Sequence, residues 1–167
     1  MNEKIVIKWK SVHPDAKLPD LAHSDPLTGD TGYDVYAVEK TIIPPGYCRD
    51  TYVDLGLKKH VTNTGSAVVP TGLEVAYITP GYWFTIKGKS GLGFKYHLVP
   101  HFGVIDCSYR GGLGIKIYNL NDYNYICNKG DKIAQLVIHK LYHADMEWSD
   151  EKHETTRNEK GFGSTGL

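Results

Sequence analysis

Leu113-Gly114-Ile115-Lys116-Ile117-Tyr118 places large apolar side chains at every second position, with Gly, Lys and Tyr between them. A period of two marks a strand covered on one face, because successive strand side chains point to opposite sides. The same alternation recurs upstream, in Ile5, Ile7 and Trp9 against Val6, Lys8 and Lys10, and in Leu73, Val75 and Tyr77 against Glu74 and Ala76. Lys132-Ile-Ala-Gln-Leu-Val-Ile138 is apolar on both faces, as in a strand buried on both sides. Turn formers punctuate these runs: Pro44-Pro45-Gly46, Pro80-Gly81, Gly111-Gly112, Asn121-Asp122 and Lys129-Gly130-Asp131. Strands separated by such turns predict an all-β sandwich, jelly roll or barrel. One short helix is expected from Ser90, with that serine as its N-cap.

The chain has 167 residues, within the roughly 100–200 of one domain. Hydrophobic residues at 41% and charged residues at 23% exclude disorder over the whole chain. Nineteen Lys+Arg balance nineteen Asp+Glu, which argues against a general nucleic-acid binder, so a phosphate ligand must be met by a local cluster. Cys48, Cys107 and Cys127 are odd in number and lack a C-x-x-C spacing; they read as free thiols of a reducing compartment. His97/His101 and His139/His143 have a helical metal-binding spacing but lie in strand or loop contexts, where roughly 13 Å would separate each pair. The first ten residues carry three lysines and no apolar core of a leader. No stretch approaches a membrane span, so no membrane association and a cytoplasmic location are expected.

Five segments carry polar residues where a simple strand–turn pattern has no need of them. Thr31-Gly-Tyr-Asp34-Val-Tyr-Ala37 places an aspartate inside a strand pattern, for a buried donor or for a ligand. Gly88-Lys89-Ser90-Gly91-Leu-Gly93 sets a lysine and a serine where a helix would start; it reads as a phosphate cradle or an ordinary capped turn, without the P-loop spacing. Gly103-Val-Ile-Asp106-Cys-Ser-Tyr109-Arg-Gly-Gly112 ends an apolar run on an aspartate, a candidate general base or a turn cap. Gly130-Asp-Lys-Ile-Ala-Gln135-Leu holds an amide in an apolar strand. The tail, Gly161-Phe162-Gly163-Ser164-Thr165-Gly166, follows Arg157 and Lys160; it reads as a frayed terminus or as an anion-binding lid with one stacking ring.

In this order the five segments resemble the five motifs of trimeric dUTPases, with Val69-Pro-Thr-Gly-Leu73 also family-like. The resemblance implies a distorted jelly-roll domain over residues 1–147 and an arm over 148–167 bearing the fifth motif. It implies a homotrimer with active sites shared between subunits, acting on dUTP with Mg²⁺ to give dUMP and pyrophosphate. Carried over, Asp106 is the base that activates water, and Tyr109 lies against the deoxyribose and excludes a 2′-hydroxyl. Main-chain groups of a third-motif hairpin, around Gly103 and Ile105, read uracil. Lys89, Ser90, Gly91 and Gln135 bind phosphate, and Asp34 holds Mg²⁺ through water. Arg157, Gly163, Ser164 and Thr165 close on the phosphates while Phe162 stacks over uracil.

Three features depart from the pattern. Lys89 stands for the usual Arg, keeping the charge without the bidentate fork. Asn158 stands for a Gly and tolerates a left-handed backbone. Residues 48–66 are additional, as a lengthened hairpin or a contact surface. A second reading is a regulatory nucleotide-binding module on the same fold. A dCTP deaminase is disfavoured because Lys116 occupies the place of its catalytic Glu.

Overall fold

The computed structural model describes residues 4–52 and 58–155, with the backbone alone over 47–52 and 58–64. Two four-stranded antiparallel sheets face one another. The first runs β1(Ile7–Ser11), β6(Ser66–Ile78), β10(Gly112–Asn119), β8(Leu98–Pro100); the second runs β2(Tyr33–Tyr36), β12(Lys132–Lys140), β7(Tyr82–Lys87), β9(Val104–Ile105). Two smaller pairs join β3(Thr41–Ile43) to β11(Tyr125–Cys127) and β4(Gly46–Tyr52) to β5(Lys58–Thr64). The chain crosses repeatedly from one sheet to the other, in keeping with the jelly-roll type. The expected insertion is thus a hairpin, with Gly46 opposite Thr64 and Tyr52 opposite Lys58.

Leu113, Ile115 and Ile117 are buried while Gly114 and Lys116 are exposed, as their alternation demands. They meet Val69, Val75 and Ile78 of the first sheet and Val35, Phe84, Ile133 and Leu136 of the second in one core. Trp9 and Phe84 lie with ring centroids 5.8 Å apart and tilted, one contact that joins the two sheets.

Two strand patterns behave differently from expectation. In β6, Val75 and Ile78 are buried but Tyr77 is exposed. A bulge is the reason: Lys8 faces Tyr77 and Trp9 faces Val75, so Ala76 is an extra residue and the alternation changes phase. In β12, Ile133, Ala134 and Leu136 are buried; Gln135 and Val137, on the face opposite Leu136, are half-buried, and Ile138, opposite Phe84 and packed against the core, is half-buried where it lines a cavity.

Asn119 pins the end of β10. It is fully buried; its amide donates to the carbonyls of Ile43 (3.0 Å) and Tyr123 (2.8 Å), and its oxygen accepts from the Asn121 backbone (3.0 Å). Three backbone groups would lose a partner without it, two of them in buried bonds, each of those at about 1–3 kcal/mol.

Helix α1(Ser90–Tyr96) is where the sequence places one, but its N-cap is Lys89, with extended backbone. Ser90 is the first residue inside the helix, not the cap. The helix ends on His97 in a left-handed conformation (φ 51°) and buries none of its residues. Beyond β12, residues 141–155 are exposed and carry neither strand nor helix. No helix among the described residues is long and apolar enough to cross a membrane.

Candidate active site

The polar segments gather into two clusters. The first is built around Asp34. Strand β2 lies in register with β12 so that Asp34 faces Gln135, and β12 faces β7 so that Gln135 also sits opposite Lys87. Gly32 makes this possible: a Cβ there would lie 3.1 Å from Cβ and Cδ of Gln135. Asp34 is buried, yet three donors surround it. Lys132 Nζ reaches Oδ2 at 2.7 Å, Lys89 Nζ is bonded to Oδ1, and Gln135 Nε2 donates to Oδ1 at 3.5 Å. Burial pushes the Asp34 carboxyl up, but the ammonium groups of Lys132 and Lys89 outweigh it and hold the pKa below its ordinary value. Lys132 is raised in turn by its bond to Asp34.

Next to Asp34, Asp20 accepts from Tyr36 Oη at 2.5 Å and pairs with Lys17 at 3.1 Å. Backbone bonds between Asp20 and Asp34 tie this loop to β2. Lys89 also lines an open groove of about 410 Å³ with Ser90, Phe94, Pro100 and Phe102. Nothing lies within 4 Å of a Cβ built on Gly91, so the start of α1 is open to an approaching group.

The second cluster is the turn after β9. Sequence reading expects a hairpin here. The structure instead shows an arch: β9 pairs with β7, while β10 pairs with β6 and β8 in the other sheet. The backbone groups of this segment are taken up by β7: Val104 and Ile105 lie opposite Thr85 and Phe84, and Ile86 N donates to Gly103 O at 3.0 Å. As the last strand of its sheet, β9 offers main-chain groups on its open side. Asp106 follows directly and is exposed, with no ion pair among the described residues.

Tyr109 N donates to Asp106 O at 3.0 Å, and Tyr109 Oη donates to Gly112 O at 2.9 Å. Arg110 turns back onto the arch, donating to the carbonyls of Cys107 (2.8 Å) and Tyr109 (2.7 Å). The ring of Tyr109 occupies the space where Gly111 lacks a side chain. A Cβ there would stand 2.5 Å from Tyr109 Cζ. Gly111 thus bears directly on the ring's position; the sequence marked it as a turn former and as a member of the third motif, without a role at the site. Lys132 is the other residue missed, because a lysine at a strand start carries no signal until its partner is known.

In one chain the two clusters lie far apart. The order β2-β12-β7-β9 puts Asp34 and Asp106 on opposite edges of a sheet, roughly 14 Å across at strand spacing. Continuing the register sets Asp106 opposite Trp83, four residues along β7 from Lys87, so roughly 13 Å more separates them along the strands. A cavity of about 430 Å³ lined by Ile7, Trp9, Leu18, Tyr33 and Ile138 is apolar and includes none of these residues.

The family model of the dUTPases matches residues 53–166, more than half of the chain. The chain belongs to the dUTPase family. A deoxyuridine 5′-triphosphate nucleotidohydrolase of Syntrophotalea carbinolica is 39% identical over 167 residues, covering 98% of each chain. One from Paramecium bursaria Chlorella virus 1 is 34% identical over 83% of this chain and 85% of its own. Among solved structures, the dUTPase of Staphylococcus bacteriophage 80alpha with dUpNHpp is similar at TM-score 0.71 and 26% identity, over 97% of this chain and 99% of its own. A mutant dUTPase of phage phi11 of S. aureus, described with a structural Mg(II) ion, is similar at TM-score 0.67 and 26% identity, over 87% and 97%.

Set against the dUTPase motifs, Asp34, Lys89 and Gln135 come together, with Ser90 and Gly91 at the adjoining helix start. Gly103, Ile105, Asp106 and Tyr109 form the separate arch. Arg157, Phe162, Gly163, Ser164 and Thr165 lie outside the described residues. Both Asp34 oxygens face ammonium groups, so the cluster does not suit a direct bond to magnesium. Among the described residues, no group of three or more His, Cys, Asp and Glu side chains could hold a metal ion.

Proposed function

We propose that this chain is a dUTP pyrophosphatase, hydrolysing dUTP to dUMP and pyrophosphate. The observation that carries the reading is the Asp106–Tyr109 arch at an open sheet edge, with an exposed carboxylate and a ring seated over Gly111, in a chain of the dUTPase family. Asp106 takes a proton from the water that attacks the α-phosphorus, and its exposure leaves the carboxylate accessible. Such a positioned base is worth about 10²–10⁴ in rate. Main-chain groups at the free side of β9, around Gly103 and Ile105, pair with uracil as a strand would. Tyr109, held by its bond to Gly112, lies against the sugar and fills the space of a 2′-hydroxyl.

Lys89, Ser90, Gly91 and Gln135 bind the phosphates. Mg²⁺, when bound on the triphosphate, supplies charge neutralisation there, and Asp34 is the residue that would hold its water shell. The separation of the two clusters within one sheet supports a site assembled between subunits, in a homotrimer. Asp106 and Tyr109 come from one copy, and the Asp34 cluster from another. The arm over 148–167 brings Arg157, Gly163, Ser164 and Thr165 to the phosphates and Phe162 to the base. No nucleic acid or membrane takes part, and the enzyme acts in the cytoplasm, or in that of the host for a viral source.

The test is a panel of dUTP, UTP, dCTP and dTTP with Mg²⁺ and a pyrophosphate readout, alongside the mass of the assembly. Turnover confined to dUTP is expected. Deamination of dCTP, or binding without turnover, would overturn the reading.

A further inference from the structure

We propose that Lys132 is a positioning residue: it is the resident counter-ion of Asp34, and its presence lets Lys89 leave that carboxylate for the triphosphate. The inference rests on the reading that this site takes a triphosphate. Asp34 is 3% exposed and carries one negative charge, yet it is bonded to two lysines, one on each oxygen. One ammonium would neutralise it, so the cluster holds a surplus positive charge in the place assigned to phosphate.

The two lysines are not equivalent. Lys132 lies on β12, opposite Tyr36 of β2, with its Nζ 5.9 Å from the Tyr36 ring and the Asp20 carboxylate adding to its raised pKa. Lys89 caps a helix that buries nothing, and it lines the open groove beside Ser90. A buried carboxylate stripped of its partner is strongly unfavourable. If Lys89 were the sole counter-ion, each phosphate bond it formed would leave Asp34 bare. With Lys132 on Oδ2 and Gln135 Nε2 already 3.5 Å from Oδ1, the carboxylate stays compensated when Lys89 moves away. Asp34 thereby stores the second-motif cation in the empty site, and Lys132 makes it exchangeable.

The test measures binding of inorganic tripolyphosphate and of a non-hydrolysable dUTP analogue to the full chain by calorimetry, with Tm and assembly mass as controls. Lys132→Met is expected to weaken both about ten- to a hundredfold, the range for a charge-assisted bond. Lys132→Arg, which keeps the charge, is expected to restore binding to within about threefold. In a Lys89→Met chain, adding Lys132→Met is expected to change affinity by less than about threefold, because no cation is left to release. A direct phosphate contact from Lys132 would instead make the two losses multiply, and that result overturns the proposal. So does wild-type affinity in Lys132→Met, or a wild-type chain that does not bind tripolyphosphate.

Should Lys132→Met fail to fold, the pair Asp34→Asn and Asp34→Asn/Lys132→Met decides. With no charge at 34 the two are expected to bind alike, and a further large loss overturns the exchange. Turnover of dUTP by the wild-type chain is read separately. Its absence, with the tripolyphosphate pattern intact, refutes the substrate reading and leaves the exchange standing.

Discussion

Replacing Gly111 by alanine asks whether the Tyr109 ring is held where it stands for a reason. The added Cβ would meet Tyr109 Cζ at 2.5 Å and Oη closer still. Ordinary contact begins near 3.4 Å, so the ring must retreat by at least 0.9 Å, the difference of those two distances. Its bond to Gly112 O, 2.9 Å long, is lost or bent, at about 1 kcal/mol. The backbone at 111 does not have the positive φ found at Gly65, Gly72, Gly81 and Gly130, so alanine itself is not strained there.

A displacement of about 1 Å at a reacting site costs about 10²-fold in rate. Gly111→Ala is therefore expected to lower kcat/KM for dUTP about a hundredfold and to narrow the dUTP-to-UTP ratio. The core is untouched, so Tm should fall by no more than a few degrees, in line with the loss of about 1 kcal/mol. Steady-state kinetics on both nucleotides, with a melting curve of the same sample, check this. Wild-type turnover and discrimination in a folded Gly111→Ala protein would refute the assignment of Tyr109 to the sugar.

Three other outcomes are expected. Asp106→Asn keeps shape and nucleotide binding but loses the base, so single-turnover hydrolysis should drop about 10²–10⁴-fold with the Kd of a dUTP analogue little changed. Deleting Arg157–Leu167 should leave Tm and the number of subunits in the assembly unchanged while turnover falls more than about tenfold, because a positioned arginine alone is worth more than that in phosphoryl transfer. The Asp34 carboxyl sits below its ordinary 3.8, so its stabilisation is complete above that pH and is lost as pH falls through the lower folded value. Melting temperature against pH should show this acid limb in the wild type and a flatter one in Asp34→Asn.

Period-two alternation and turn residues determined from sequence alone that the chain is an all-β sandwich, jelly roll or barrel, and five ordered motifs pointed to its family. Both signals are local, set by side-chain direction along a strand and by which residues tolerate a turn. Ser90 at a helix start was legible in the same way, although the cap itself fell to Lys89, whose backbone rather than side chain makes the boundary.

Partnership across the chain was decided by the tertiary structure. Ala76 shifts the phase of β6 because β1 pairs across a bulge, and Val104–Ile105 pairs with Thr85 and Phe84 of β7 rather than with β10. Asp34, Lys89 and Lys132 are distant in sequence; singly, Asp34 read as the partner of a buried donor or a ligand, Lys89 as part of a phosphate cradle or a capped turn, and Lys132 carried no reading of its own. Their meaning depends on sheet register, which brings two ammonium groups to one buried carboxylate. A charge is interpretable only with its partner and its distance from water, and both are properties of the folded chain.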